Sequence, residues 1–290
     1  MTLLSPADTR ALARQLGVAP IKSKGQNFLV DPNTVRRIVR LAELSTDSGE
    51  FGEHVLEIGP GLGSLTLGLL ESGARVTAVE IDPALAGALP ATVASRTAVT
   101  PDRLTVITGD ALRIAIPGEP EVLAANLPYN VAVPLLLHLL ESLPSLIHGI
   151  VMVQAEVAQR LAAPPGSRVY GVPSAKLAWY ADARVAAPVP RTVFWPQPRV
   201  DSALLTWRRR AAPAGDRRAT FAAIDAAFSQ RRKTLRAALT RWAGSAQDAE
   251  RLLRAADVDP GARGESLAVN DFARIAMQRR AGIEAGTETG

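Results

Sequence analysis

His54–Thr66 reads HVLEIGPGLGSLT, an apolar run broken by glycines at 59, 61 and 63 and followed by a helix-like segment. A strand that stops on glycine and feeds a helix opens a strand–helix–strand unit. Glycine there permits a tight turn and lets a ligand approach backbone N–H groups and the helix N-terminus. The spacing is G-x-G-x-G rather than the G-x-G-x-x-G of the dinucleotide fingerprint. A plain strand-to-helix turn would use the same residues.

Downstream, the pattern repeats. RVTAVEID, LTVITGD, EVLAAN and HGIVMVQ are further strand-like runs, with helical patterns at Leu62–Glu71, Pro83–Ala94 and Val133–Leu143 between them. Strands alternating with helices predict a mostly parallel sheet covered on both faces. ARVAAPV (Ala183–Val189) and SALLTWR (Ser202–Arg208), separated by PRTVFWPQP, predict a closing antiparallel hairpin at the edge. The expectation is therefore an α/β Rossmann-like fold with seven strands and a small C-terminal helical domain. The boundary falls in RRRAAPAGDRR, which gives domains 1–211 and 212–290. Beyond it, TFAAIDAAFSQRRKTLRAALTRWA reads as a continuous helical pattern with Phe221, Ile224, Ala227, Phe228, Leu235 and Leu239 on one face.

Composition narrows the chemistry. The 290 residues are 47% hydrophobic and 21% charged, as in a chain that buries a sizeable core. There is no cysteine, which excludes disulfides, thiolate nucleophiles and cysteine-based zinc sites, and His54, His138 and His148 form no metal-ligand pattern. No secretory or transit-like leader is read at the N-terminus, and the uncharged runs are broken by proline or too short to span a bilayer. A cytoplasmic, monomeric protein without membrane or metal is the expectation. Net charge is +5, yet Asp201–Trp242 alone holds ten Arg or Lys against three Asp. Such a segment suits a polyanion such as RNA, although it also suits a solvated face.

Three more strand ends share the rim of the glycine turn. Glu80, ending VEID about twenty residues on, stands where a carboxylate accepts from ribose hydroxyls. Asp110 of TGDA suits an exocyclic amine. Glu57 either holds the loop or meets the ligand. The fourth strand ends in AANLPYN, where Asn126 offers an uncharged acceptor, the carbonyls beside Pro128 offer others, and Tyr129 offers a flat ring for a base.

With these residues in place the sequence resembles S-adenosylmethionine-dependent methyltransferases acting on exocyclic amines. It is most similar to the ribosomal RNA adenine N6,N6-dimethyltransferase family of the small-subunit type. The likeness runs in order through KGQNFLVD, EIGPGLGSLT, VEID, GDAL, NLPYN, GSRVYGVPS, FWPQPRVDSAL, AFSQRRKTLR and RGESLAVNDF. It implies a class I methyltransferase fold and an S-adenosylmethionine site made by Asn27, Leu29, Gly59, Gly61, Glu80, Asp110 and Asn126, with Gly63 in the same loop. It further implies a catalytic motif of Asn126, Leu127, Pro128 and Tyr129, with Phe194 covering the target adenine. The implied substrate is a pair of adjacent adenosines in the 3′-terminal hairpin of small-subunit ribosomal RNA, in late subunit biogenesis. Lys22, Lys24, Arg231, Arg232 and Lys233 would hold its phosphates.

Three other readings compete. A large-subunit enzyme conferring antibiotic resistance usually has isoleucine where Leu127 stands and lacks FSQRRKTLR. A ribosome-assembly factor acting mainly by binding would not need Asn126 and Glu80. A nicotinamide oxidoreductase would need its third glycine one position later.

Overall fold

The computed structural model describes residues 2–18, 27–44, 53–98 and 101–287. The chain divides into two compact units, Met1–Ala158 with Ala183–Arg209, and Gln159–Asp182 with Arg210–Gly290.

In the first unit the strands are β1 (Phe28–Leu29), β2 (His54–Ile58), β3 (Arg75–Glu80), β4 (Leu104–Thr108), β5 (Val122–Asn126), β6 (His148–Gln154), β7 (Ala181–Val189, entering from the second unit), β8 (Phe194–Trp195) and β9 (Ser202–Arg209). Seven of them form one sheet in the order β4-β3-β2-β5-β6-β9-β7. The five strands β2 to β6 are parallel, and β9 runs antiparallel to β6 from His148↔Arg208 to Gln154↔Ser202. Every residue of β2 is buried, as are Val122–Ala125 and His148–Val153, because helices cover both faces of a parallel sheet. Those helices are α1 (Pro6–Gln15), α2 (Pro32–Leu41), α3 (Ser64–Glu71), α4 (Pro83–Ala94) and α5 (Ala132–Ser142).

The starts of α2 and α4 follow from local chemistry. Asp31 and Asp82 accept from Thr34 N–H and Ala84 N–H at 2.8 and 3.0 Å, and a proline occupies the first turn of each. The short pair β1–β8, with Phe28 opposite Trp195 and Leu29 opposite Phe194, lay outside the sequence expectation, which read PRTVFWPQP as a connection. Two-residue strands carry no periodicity to read.

The direction of winding reverses between β2 and β5. β3 and β4 build toward one edge, β5 and β6 toward the other, so the connections diverge and leave a crevice at the carboxyl ends of the strands.

The second unit holds α7 (Val172–Leu177), α8 (Arg217–Ser229), α9 (Leu235–Ala243), α10 (Ala246–Ala255) and α11 (Val269–Thr287); α6 (Ala155–Leu161) leads into it. Its core joins Tyr170 and Ala175 to Ile224, Leu235, Leu253 and Phe272. Tyr170 donates its hydroxyl to the Leu267 carbonyl at 2.8 Å, and Lys176 pairs with Asp225 at 2.8 Å. Those contacts are why Gln159–Asp182 groups with the C-terminal helices, whereas the sequence suggested a single cut after residue 211. The helical pattern expected to run unbroken from Phe221 to Leu239 is interrupted at Gln230–Thr234. The first N–H groups of α9 bond outside their own helix, Leu235 to the Ala262 carbonyl at 2.8 Å and Arg236 to the Pro260 carbonyl at 3.1 Å.

Candidate active site

A cleft of about 460 Å³ occupies the crevice where the winding reverses. It is lined by Asn27–Leu29, Glu57–Leu62, Glu80 and Ile81, Gly109–Leu112, and Asn126–Val131. Its volume falls within the range of small-molecule sites.

Gly59, Gly61 and Gly63 take φ of 69°, 57° and 90°, the left-handed region that disfavours a side chain. At Gly61 a Cβ would stand 3.0 Å from the Phe28 ring, so strand β1 can close over the turn only if the position is bare. Gly63 does not line the cleft; it begins α3, and a Cβ there would lie 2.8 Å from Leu89 Cδ1.

Glu80 ties the turn to β3. Its carboxylate accepts from Gly61 N–H and Asp82 N–H, both at 3.0 Å, one on each oxygen. The carboxylate keeps acceptor capacity beyond these bonds and lines the cleft. Burial raises its pKa, with backbone bonds from Asp82, Gly61 and Ile81 opposing. Glu57 is 1% exposed and accepts the Thr66 hydroxyl at 2.6 Å. Burial pushes it up to about 8, with Thr66 opposing and the Glu80 charge adding, so it carries its proton at neutral pH. It anchors α3 to β2 through Thr66 and lines the cleft. Asp110 accepts Leu112 N–H at 3.0 Å in the turn after β4.

The Asn126 amide is oriented from across the cleft mouth. Its Nδ2 donates to the Asn27 carbonyl at 3.0 Å, which leaves Oδ1 as the free acceptor of this cleft-lining side chain. Leu127 N–H bonds to the Met152 carbonyl at 3.1 Å, fixing the strand end, and the Pro128 carbonyl accepts Val131 N–H at 3.2 Å. The Leu127 carbonyl is thus the less encumbered of the two backbone acceptors beside Pro128. Tyr129 and the buried Ser202 share a hydrogen bond of 2.6 Å between their hydroxyls, which ties the ring to β9; burial raises the phenol's pKa, with Ser202 opposing.

Residues 21–278 match the family model described as ribosomal RNA adenine dimethylase. The chain belongs to that family. A Thermobifida fusca relative named Ribosomal RNA small subunit methyltransferase A is 62% identical, the match covering 96% of each chain. The crystal structure of the 23S rRNA methyltransferase ErmE is similar at TM-score 0.62 and 28% identity, over 88% of this chain and all of that one. A dimethyladenosine transferase from Plasmodium falciparum shares the fold at TM-score 0.73 and 24% identity, over 88% of this chain and 98% of that one.

Within this dimethylase-family chain the fold brings Asn27, Leu29, Gly59, Gly61, Glu80, Asp110 and Asn126–Tyr129 into one cleft. Phe194 is not brought there: it is 4% exposed and packed in the core, because β8 pairs with β1 and turns that ring inward. The sequence reading passed over Phe28, which lines the cleft and stacks on Trp195 at 6.3 Å between ring centroids. Its position between Asn27 and Leu29 was the available signal. Arg231, Arg232 and Lys233 are exposed in a turn between α8 and α9 rather than on a helix. Arg231 is engaged within its own unit, by Glu265 at 3.1 Å and the Arg168 carbonyl at 2.7 Å, which leaves Arg232 and Lys233 as the freer cations. Lys22 and Lys24 lie outside the described residues. Among the described residues no group of three or more His, Asp or Glu could hold a metal ion, and no helix is long and apolar enough to cross a membrane.

Proposed function

We propose that this chain dimethylates N6 of two adjacent adenosines in the 3′-terminal hairpin of small-subunit (16S) ribosomal RNA, using S-adenosylmethionine, on the assembling small subunit. The observation that carries the reading is Asn126: its amide is locked by the Asn27 carbonyl so that an oxygen acceptor, not a donor, serves the cleft. An exocyclic amine needs acceptors, and Oδ1 with the Leu127 carbonyl would take its two N–H bonds.

The cleft fits the proposed cofactor. The buried, cleft-lining Glu80 carboxylate suits a ribose diol, the bare glycine turn admits close approach, and Asp110 suits the adenine amine. S-adenosylmethionine, when bound, supplies a methyl group on a sulfonium. The rest is done by this chain's residues. The N6 lone pair of adenine is delocalised into its ring, and two acceptors holding both hydrogens favour a pyramidal nitrogen with its lone pair directed outward. Placement and charge stabilisation supply most of the acceleration. The proton leaves after transfer, since a methylated adeninium nitrogen is acidic. Unstacking the adenosine costs about a few kcal/mol, part of which Tyr129 returns by stacking. Arg232 and Lys233 are exposed for phosphate contacts.

The 62% identity to a protein named for the small subunit, against 28% to the large-subunit enzyme ErmE, supports the small-subunit reading. The test is transfer of labelled methyl to immature small subunits followed by nucleoside analysis. Dimethyladenosine is expected from the native chain and none from Asn126→Ala, with particle binding retained. Product on large-subunit RNA alone, or binding without any product, would overturn the reading.

A further inference from the structure

On the first unit, arginines separate from the cleft gather on one face. α2 packs inward through Val35 and Val39, so tightly that a Cβ at Gly68 of α3 would lie 2.4 Å from Val35 Cγ1. Its outer side carries Arg36, Arg37 and Arg40, all exposed. Arg36 and Arg40 stand four residues apart, hence on the same side of the helix with a rise of about 6 Å between them. Arg37 reaches the edge strand β7, donating Nη1 to the Pro188 carbonyl at 3.4 Å. Just past α2, Glu43 adopts φ 54° and gathers Arg184 of β7 and Arg208 of β9 at 3.8 and 3.4 Å.

Five arginines thus stand on α2, β7 and β9, two of them held by Glu43. Stability does not account for the cluster. Arg184 and Arg208 are about two-thirds exposed, and such surface pairs contribute little. Charge on an edge strand discourages edge-to-edge pairing, which explains Arg184 on β7. It does not explain Arg36 and Arg40, which sit on a helix, have no partner among the described residues, and repel one another across one turn. A fixed array of guanidinium groups matches a line of phosphates. The array is also near the chemistry: Leu29 lines the cleft and α2 begins at Pro32, so Arg36 and Arg40 lie within about 15 Å of α2's start, one helix length.

We propose that this face, formed by α2 with β7 and β9, is an RNA-backbone surface additional to the Arg232–Lys233 turn. The proposal rests on the reading of the substrate as RNA, and its test separates the two. Binding of deproteinised small-subunit RNA and of immature small subunits is measured from 50 to 200 mM salt for the native chain, for Arg36→Gln/Arg40→Gln and for Glu43→Gln. Methyl transfer by the native chain and S-adenosylhomocysteine binding by each variant are measured alongside. Removing two phosphate contacts should lower the salt slope by about 2 and weaken binding of bare RNA about tenfold near physiological salt. Glu43→Gln, which removes the carboxylate that Arg184 and Arg208 share, should tighten it, and cofactor-product binding should be unchanged in both. Native affinity and slope in the double variant would overturn the proposal. Weakening on assembled subunits but not on bare RNA would overturn it in favour of a protein partner. A native chain that binds RNA through this face yet transfers no methyl would leave the surface standing and sink the proposed function instead.

Discussion

Replacing Glu57 with glutamine removes one proton-binding site from the middle of the sheet while keeping the shape of the side chain and an oxygen for the Thr66 hydroxyl. Burial holds the Glu57 carboxyl near 8 in the folded chain, against an ordinary 4.5. Between those values the unfolded chain has released its proton and the folded chain has kept it, so folding takes up a proton and stability falls as pH rises. The contribution is complete below 4.5 and is lost by about pH 8, at roughly 1.4 kcal/mol per pH unit in between. His54 acts with the opposite sign but only below 6.5, so the interval from pH 6.5 to 8 isolates the carboxyl. Across it the native chain should lose about 2 kcal/mol that Glu57→Gln retains. Glu80, also raised, is present in both proteins, so the difference between them reports Glu57. Urea unfolding without ligand, followed by circular dichroism at three pH values in this interval, reads the difference directly. Parallel curves would mean that Glu57 is already ionised in the fold and that its burial has been misjudged.

Three further expectations concern the same unit. Gly61→Ala forces alanine to φ 57° and its Cβ to 3.0 Å from the Phe28 ring, so S-adenosylhomocysteine binding should weaken about tenfold in calorimetry, for a strain of about 1–2 kcal/mol. Gly87→Ala in α4 meets nothing within 4 Å and should instead stabilise by about 0.5–1 kcal/mol; equal effects would refute the steric account. His54 donates Nδ1–H to the Gly118 carbonyl at 2.7 Å and accepts Thr77 Oγ1 at 2.8 Å on Nε2, the neutral tautomer. Burial, then the Arg75 charge, hold its pKa below 6.5, so its contribution is full above 6.5 and is lost as pH falls below it; an imidazole resonance titrating at or above 6.5 would contradict this.

Much of the first unit was legible because its signals are local. Pro83–Ala94 was read from its helical pattern, and the helix occupies those same residues. The parallel strands announced themselves as apolar runs because both their faces are covered. What depended on distant partners was not legible. Phe194 reads as an aromatic free to cover a base, but pairing of β8 with β1 sends it into the core. The RRK segment lies in a helical pattern that breaks because carbonyls at Pro260 and Ala262 take the N–H groups of α9. Residues 159–182 look like a continuation of the sheet domain until Tyr170 is seen buried among the C-terminal helices.

By itself, then, the sequence determined which groups end the strands: a glycine turn, Glu80, Asp110 and Asn126. Strand ends are fixed by residues adjacent in the chain, and winding rules place them on one rim. Only the tertiary structure decided the state of those groups. A carbonyl from Asn27, 99 residues before Asn126, sets which way the amide faces, and the depth at which Glu57 is buried sets whether it carries a proton. Hydrogen-bond direction and desolvation are properties of an assembled environment, and no local pattern encodes them.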